Sequence, residues 1–425
     1  MKIIRWIYTI LLAFVAPFFL AGLYKKKQQK PAIGSRWKEH FGWVSPLQDN
    51  PEKTAPIWVH AVSVGETISV SPFIKQLRQI YPERKIVITT TTATGAEQAR
   101  KHLPEIEHRY APLDFPFAIK KFMAVIQPSH LIIMETELWP NLLHIAKAHG
   151  LNVSVINARL SEKSYRGYKR VKPLINMCLP NIDHLCCQSE EDKNRFLRLG
   201  SQASQLSVTG SMKYDIHISD TVLHSARALR HILGKTRPVW IAASTHHGED
   251  QLILQNHQTI LQSHPDALLI LVPRHPERFN SVYTLCCEYG LSTQRRTIEH
   301  SPEKQFQVYL GDTMGEMLTL IGASDICFMG GSLLGDVGGH NVLEPAALGI
   351  PTLIGPHYYN FHDITVTLEN VGALQVIHHA QEICQSILNL FQDDKQRLHM
   401  SLQAKKVVQE NAGAISKTIS YVLAE

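Results

Sequence analysis

The chain has 425 residues, 44% of them hydrophobic and 19% charged, and its formal net charge is +6. This composition excludes a disordered chain, and the length suits two ordinary domains of roughly 100–200 residues each. The modest positive charge suits anionic ligands or an anionic membrane face. No basic run is interleaved with aromatic residues, so we predict no nucleic-acid binding.

The first predicted element is an apolar helix at the N-terminus. Residues 6–24 read WIYTILLAFVAPFFLAGLY, nineteen residues without a charge. As a helix they extend about 28 Å, close to the hydrocarbon thickness of a bilayer. Four lysines lie at positions 25–30, whereas only Lys2 and Arg5 precede the apolar run. This asymmetry predicts a single-pass anchor with the bulk of the chain on the cytoplasmic side.

Two other interpretations of this segment are a cleaved signal peptide and a helix that lies in the membrane interface. A signal peptide needs a small-residue cleavage site after its apolar core, and AGLYKKK places bulky and basic residues there. An interfacial helix agrees with Trp and Lys residues at the ends, although apolar residues surround the whole helix. The choice between a spanning and an interfacial helix stays open.

From Ile57 onward, apolar strand-like runs alternate with helical stretches. A first series comprises IWVHAVSV, KIVITTTT, HLIIMETE, LNVSVINARL and HLCCQS. A second comprises PVWIAAST, ALLILVPR, FQVYLG, DICFMGGS and IPTLIG. Such alternation is typical of βαβ units, so we predict an α/β fold with two Rossmann-like domains facing a cleft. In open parallel sheets, ligands bind at the carboxyl ends of the strands.

The predicted domain organisation has three parts, with the boundary between the two sheets near residues 215–235. Residues 1–30 form the membrane anchor and its basic flank, residues 31–220 the N-terminal domain and residues 221–425 the C-terminal domain. The seven cysteines include no CxxC pair and are interpreted as reduced thiols of a cytoplasmic protein. Without D-x-D, H-E-x-x-H or a Cys/His cluster, we expect no metal and no cofactor.

Acidic residues follow two strands of the first series. HAVSVGE ends a strand and begins a helix at Glu66. This position suits a general base. It also suits a carboxylate that only stabilises the start of the helix, because the helix dipole favours a negative charge there. IIMETELWPN places Glu135 and Glu137 on one face if the strand persists. They can raise one another's pKa, bind polar substrate groups, or mark an edge strand with solvated ends.

In the second series, VPRHPER places Arg274, His275 and Arg278 after a buried strand. Guanidinium groups suit phosphate, although Arg274 can instead pair with a carboxylate. GDTMGEM forms a turn that opens a helix, a weak signal for a base or phosphate site. GGHNVLEP offers a glycine-rich turn, Asn341 as helix N-cap and Glu344 in the first turn of the helix. A carboxylate at the position of Glu344 can accept ribose hydroxyls, while the start of the helix faces a phosphate.

Eight motifs occur in order over nearly the whole chain: HAVSVGET, METELWPN, INARLS, VTGSMKYD, ASTHHGE, LVPRHPERF, GDTMGE and GGHNVLEPAALGIPTLIGP. Together they closely resemble the 3-deoxy-D-manno-octulosonic acid (Kdo) transferases of Gram-negative lipopolysaccharide synthesis. The resemblance implies the glycosyltransferase B fold and an inner-membrane enzyme that moves Kdo from CMP-Kdo to tetraacylated lipid A precursor (lipid IVA).

The resemblance also implies roles for individual residues. Glu66 matches the catalytic base, and Glu135 an acceptor-side or catalytic residue. Lys213 matches a residue near the donor phosphate, and Ser244 and His246 resemble donor-site residues. The positions that match the CMP site are Pro273, Arg274, Met314, Gly315, Glu316, Asn341, Val342, Leu343 and Glu344.

The implied reaction is an inverting displacement with Glu66 as base. Two alternatives remain at this stage. One is another nucleotide-sugar transferase or an epimerase on the same fold. The other is a membrane-tethered binding protein without catalysis, because a fold alone does not define a function.

Overall fold

The computed structural model describes residues 2–24, 31–48, 54–298 and 305–423. The lysines from which the orientation of the anchor was predicted, Lys25, Lys26, Lys27 and Lys30, lie outside the described residues. The chain forms two compact units. Unit 1 comprises Met1–Asp215 with Ala412–Glu425, and unit 2 comprises Ile216–Asn411.

The N-terminal helix α1 covers Lys2–Tyr24. Its segment Ile3–Tyr24 is long and apolar enough to cross a membrane. One stripe of the helix packs on the rest of unit 1, because partly or fully buried residues recur every fourth position at Ile4, Tyr8, Leu12, Ala16 and Leu20, joined by Arg5, Thr9, Leu23 and Tyr24. The remaining apolar side chains of α1 are mostly exposed.

Unit 1 contains a sheet of seven parallel strands in its described residues, in the order β3-β2-β1-β4-β5-β6-β7. The strands are β1 Ile57–His60, β2 Ile86–Thr90, β3 Glu107–Tyr110, β4 His130–Met134, β5 Asn152–Ala158, β6 His184–Cys187 and β7 Leu206–Val208. The helices after α1 are α2 Val64–Ile80, α3 Ala93–His102, α4 Pro116–Ile126, α5 Pro140–Ala148, α6 Glu162–Arg170, α7 Lys172–Cys178 and α8 Glu190–Leu199. Apolar clusters cover both faces of this sheet.

Unit 2 repeats the architecture with the strand order β10-β11-β9-β8-β12-β13-β14. The strands are β8 Val239–Thr245, β9 Leu268–Pro273, β10 Thr293–Arg295, β11 Val308–Leu310, β12 Ile326–Met329, β13 Thr352–Ile354 and β14 Leu374–Val376. The helices are α9 Asp220–Leu233, α10 Glu249–Ser263, α11 Phe279–Glu288, α12 Met317–Gly322, α13 Leu343–Leu348, α14 His362–Asn370, α15 Glu382–Gln392 and α16 Asp394–Asn411. The predicted pair of parallel α/β domains is confirmed.

The structure differs from the predicted organisation at the C-terminus. The last helix, α17 (Ala414–Val422), belongs to unit 1 although residues 221–425 were expected to form one domain. Its apolar face, with Ile415 and Ile419, joins the cluster that contains Phe73 of α2. The Asp215 carboxylate also accepts the backbone N–H groups of Gly413, at 2.5 Å, and Ile415, at 2.6 Å. Burial and these two bonds tie the end of the chain to unit 1.

Candidate active site

Glu66 lies in the first turn of α2, immediately after β1. Ser63 is the N-cap, and its hydroxyl accepts the backbone N–H of Glu66 at 3.3 Å. The Glu66 carboxylate accepts the Ser63 hydroxyl at 2.8 Å and the Val62 backbone N–H at 2.7 Å. This reciprocal arrangement resembles a capping box, so Glu66 does take part in starting the helix.

Helix capping does not account for the environment of Glu66. The residue is only 8% exposed, and burial raises its pKa to about 7. The negative charges of Glu137 and Glu135 raise the pKa further, and the bonds from Val62 and Ser63 offset only part of the rise. A carboxyl group with a pKa near neutrality can take up a proton during a reaction and release it afterwards.

Glu135 is the first residue after β4 and has an uncommon backbone conformation. Its φ is 60°, in the left-handed region that residues other than glycine rarely occupy, and its N–H donates to the Ile156 carbonyl at 2.9 Å. The strand ends at Met134, so the condition under which Glu135 and Glu137 would lie on one face is not met. The Glu137 carboxylate instead accepts the Trp139 indole N–H at 2.8 Å.

Two cations act on Glu135. Burial raises its pKa, whereas Lys213 and Arg159 lower it. Lys213 lies in a short 3₁₀ turn, Met212–Tyr214, which is held by a bond from the Met212 N–H to the Asn157 side-chain oxygen at 3.1 Å. The structure thus places Lys213 in unit 1, beside a carboxylate. Arg159 and Asn157 belong to the INARLS motif, but the sequence analysis assigned neither a role.

We expect Glu137→Gln to lower the pKa of Glu66 below about 7, because the substitution removes the larger of the two repulsive negative charges. An NMR titration of labelled glutamate side-chain carboxyl carbons measures the shift. Glu97→Gln, at an exposed position of α3, is the matched control and should leave the titration of Glu66 unchanged. An unchanged pKa in Glu137→Gln would show that these carboxylates are not coupled.

In unit 2, a buried carboxylate supports the glycine-rich loop. Glu249, the first residue of α10, is fully buried. Its carboxylate accepts four backbone N–H groups at 2.7–3.0 Å, those of His246, Gly331, Ser332 and Leu333. Gly330 donates instead to Ala243, and Gly339 to Gly331. The N–H groups of Gly330, Gly331 and Gly339 therefore already have acceptors within unit 2.

Gly330 is required by close packing of the backbone at the end of β12. A Cβ atom at this position would lie 2.8 Å from the Ser244 carbonyl oxygen and 2.9 Å from the Thr245 Cα. Ser244 itself has a positive φ of 59°, where β8 and β9 shift register. Strained backbone of this kind is concentrated at functional sites, which agrees with the prediction for Ser244.

We expect Glu249→Gln to reduce the free energy of unfolding by about 2–3 kcal/mol, because an amide cannot accept all four N–H groups and leaves buried donors unpaired. Urea unfolding measures the change. The exposed substitution Glu369→Gln on α14 should change stability by less than about 0.5 kcal/mol. Equal stability of the two variants would contradict the structural role of Glu249.

Arg274 supplies positive charge at the end of β9. Its side chain is exposed, and it lowers the pKa of Glu344, which burial raises. The Asn341 amide donates to the Glu344 carboxylate at 3.2 Å. Arg278, which was also considered for phosphate, instead pairs with the buried Asp250 and donates to the Thr245 carbonyl at 2.7 Å. Arg274 is therefore the more available of the two guanidinium groups.

A pair of histidines lies beside Arg274. The rings of His246 and His340 are stacked with centroids 5.0 Å apart, and their Nε2 atoms are 2.8 Å apart. Burial lowers the pKa of His340 to about 4, and both His246 and Arg274 contribute to this shift. The pKa of His246 is also lowered, chiefly by burial. His246 was predicted for the donor site, whereas His340 was not.

Some of the remaining residues predicted to contact CMP have buried side chains. Val342 and Leu343 are fully buried, and Pro273 ends β9 in the core, so only their backbones are available to a ligand. The Asn341 oxygen accepts the Leu343 N–H at 3.1 Å, but the residue preceding α13 is Val342. The predicted N-cap position of Asn341 is thus displaced by one residue, because the helix begins later.

The GDTMGE turn precedes α12 as predicted. Met314 is 52% exposed, and Gly315 has a φ of 87° that favours glycine. The Glu316 carboxylate accepts two bonds from Arg296, at 2.7 and 3.2 Å, and one from the Thr313 hydroxyl. Its side chain therefore fixes the turn, and the exposed surface of this motif consists of Met314 and the backbone at Gly315.

Comparison with known proteins identifies the family. The model of a family described as 3-deoxy-D-manno-octulosonic-acid transferase (kdotransferase) matches residues 35–216. A 3-deoxy-D-manno-octulosonic acid transferase of Haemophilus influenzae is 37% identical over 417 residues, which cover 98% of this chain and 97% of that protein. The chain belongs to the Kdo transferase family. It is therefore an enzyme of the glycosyltransferase class.

One further similarity supports the family and another supports the fold. The enzyme of the same description from Bordetella pertussis is 32% identical over 430 residues, covering 98% of both chains. The crystal structure of UDP-GlcNAc 2-epimerase from Neisseria meningitidis bound to UDP-GlcNAc is 17% identical, with a TM-score of 0.56 over 87% of this chain and all of that one. At this identity the likeness shows the fold alone, which is the predicted glycosyltransferase B type.

Proposed function

We propose that the protein transfers Kdo from CMP-Kdo to a hydroxyl group of tetraacylated lipid A precursor, with inversion at the anomeric carbon and with Glu66 as the general base. Membership of the Kdo transferase family supports the sugar. The observation that carries the catalytic assignment is the buried Glu66 carboxyl, whose pKa is raised to about 7. In this proposal unit 1 binds the acceptor and unit 2 binds the donor.

The proposed step forms one bond and breaks one bond. The acceptor hydroxyl oxygen attacks the anomeric carbon of Kdo while its proton moves to the Glu66 carboxylate. The bond from the anomeric carbon to the phosphate oxygen breaks, and CMP leaves with the bonding electrons. A positioned base contributes about 10²–10⁴-fold to such a rate. Because Glu66 titrates near pH 7, a large fraction of the enzyme holds it unprotonated at neutral pH.

Glu135 has a different role in this proposal. Lys213 and Arg159 favour the charged form of Glu135, whereas the charges of Glu137 and Glu135 oppose the charged form of Glu66. Two neighbouring carboxyl groups with unlike surroundings can divide their tasks, one binding and one exchanging a proton. We assign Glu135, held by its strained backbone, to the acceptor, and Lys213 to the charge balance of this edge of the sheet.

On the donor side, Arg274 neutralises the charge that grows on the CMP phosphate, and Glu344 accepts the ribose hydroxyls. Electrostatic stabilisation of the leaving group of this kind requires no metal ion. Ser244 and His246 lie at the end of β8, and Met314, Gly315 and Glu316 form the turn before α12, where we place further contacts with the nucleotide. Pro273, Asn341, Val342 and Leu343 contribute backbone and packing.

In this proposal the acceptor is a lipid, and α1 holds the enzyme at the membrane in which that lipid lies. The helix is apolar enough to cross a membrane and packs on unit 1 along one stripe. We propose that it holds the protein at the inner membrane with both units on the cytoplasmic side. Its exposed apolar surface supports membrane contact, and the lysines after the helix support the orientation.

We expect Glu66→Gln to lower kcat by about 10²–10⁴-fold with little change in CMP binding, because glutamine keeps the shape but cannot accept the proton. Radiolabelled Kdo transfer to the lipid acceptor measures the rate. Glu97→Gln controls for the loss of a carboxylate elsewhere in unit 1 and should retain full activity. Turnover of Glu66→Gln within a few-fold of the unsubstituted enzyme would exclude Glu66 as the base.

We expect Glu344→Ala to weaken CMP binding by at least about tenfold, because two ribose hydroxyls lose a charged acceptor. Titration calorimetry with CMP measures the affinity, and UDP should bind the unsubstituted protein more weakly than CMP. Glu369→Ala, on the exposed side of α14, serves as the control in the same unit. Unchanged CMP affinity in a folded Glu344→Ala protein would remove this residue from the donor site.

A further inference from the structure

An apolar pocket lies within unit 1, between α1 and the carboxyl ends of the strands. Its volume is about 320 Å³. The helix contributes Leu12, Val15, Ala16 and Phe19 to the wall, and Leu113 lies on the side of the sheet. Ligand pockets have volumes of about 300–1,000 Å³, so this one has room for a single slender group.

The polar side chains in the wall are Tyr8, Thr91 and Asp114. Tyr8 and Asp114 are hydrogen-bonded to each other. The Asp114 carboxylate also accepts the N–H groups of Asn141, at 3.1 Å, and Leu142, at 2.7 Å. The acid is therefore engaged at the start of α5 and in holding α1. Apart from the buried Thr91 hydroxyl, the surface that remains for an occupant is hydrocarbon, which favours an apolar ligand.

The pocket adjoins the catalytic carboxylates through two shared residues. Val62 lines the pocket, and its backbone N–H donates to Glu66 at 2.7 Å. Trp139 also lines it, and its indole N–H donates to Glu137 at 2.8 Å. An occupant therefore contacts the residues that hold the proposed base and its neighbour.

The pocket is also continuous with the outer surface of α1. Val15 and Phe19 line the cavity and are 59% and 48% exposed, so their side chains belong to both surfaces. A ligand that enters from the apolar side of the helix passes Val15 and Phe19 and shares the pocket with Val62 and Trp139. This path suits a molecule with a long apolar chain attached to a polar group that reacts at Glu66.

We infer that the pocket binds one acyl chain of the lipid acceptor and thereby positions the acceptor hydroxyl at Glu66. The inference rests on the proposed function, since it requires a lipid acceptor. The α1 helix is then part of the acceptor site as well as a membrane anchor. An acyl chain fits the continuity with both α1 and the carboxylates, which a sugar or a phosphate group does not.

A pair of identical substitutions on one helix tests this inference. Ala16→Phe fills the pocket, whereas Ala13→Phe adds the same ring to the exposed side of α1. Each is assayed with the acylated acceptor and with the same disaccharide after its acyl chains are removed. We expect Ala16→Phe to lower kcat/KM for the acylated acceptor at least tenfold, because each methylene withdrawn from an apolar site costs about fourfold in affinity.

Turnover of the deacylated acceptor and the KM for CMP-Kdo should be the same in Ala16→Phe and Ala13→Phe. Equal activity of both variants on the acylated acceptor would overturn the inference and leave the proposed function intact. A loss in Ala16→Phe that is equal for both acceptors would also overturn it, since the effect would be general. Absence of Kdo transfer by the unsubstituted protein would overturn the proposed function itself.

A direct label distinguishes the acceptor from bilayer lipid. An acceptor that carries a photoreactive group at the end of one acyl chain should label peptides containing Leu12, Ala16 or Trp139. Unlabelled acceptor should suppress this labelling, and an equal excess of phospholipid should not. Equal suppression by phospholipid would show that the pocket holds bilayer lipid, which contradicts the assignment to the acceptor.

Discussion

A parallel sheet that is covered on both faces leaves polar side chains few places to go, and the rest of this structure follows from that constraint. Both sheets are packed against helices, so their central strands are buried and mostly apolar. Charged groups accumulate where the strands end. Glu66 and Glu135 follow two strands of unit 1, and Arg274 follows a strand of unit 2. The candidate catalytic and binding residues therefore lie at the carboxyl ends of the strands in each sheet.

The two units place a Gly-Glu pair at similar positions but in different surroundings. Glu66 in SVGE and Glu249 in HHGE both occupy the first turn of a helix that follows a central strand. Glu249 accepts four backbone N–H groups and fixes the glycine-rich loop. Glu66 accepts one N–H and one hydroxyl, and burial raises its pKa to about 7. The number of backbone donors around the carboxylate separates the structural acid from the proposed base.

This contrast also shows how much the sequence could predict. Long apolar runs identified the central strands, and the ordered motifs identified the family. The edge strands β3, β7, β10 and β14 were missed because each has only three or four residues and includes polar ones. The roles of Glu249 and Arg278 depend on partners distant in the chain: Gly331 donates to Glu249, and Asp250 pairs with Arg278. The return of α17 to unit 1 depends on packing. No local pattern encodes such contacts.

The account is tested most directly by mass spectrometry of the reaction product. Purified protein is mixed with tetraacylated lipid A precursor and with CMP-Kdo generated in place. The account predicts that the lipid gains the mass of one or more Kdo units and that the same number of CMP molecules is released. A lipid of unchanged mass, in the presence of protein that still binds CMP, would contradict the proposed acceptor and with it the role assigned to unit 1.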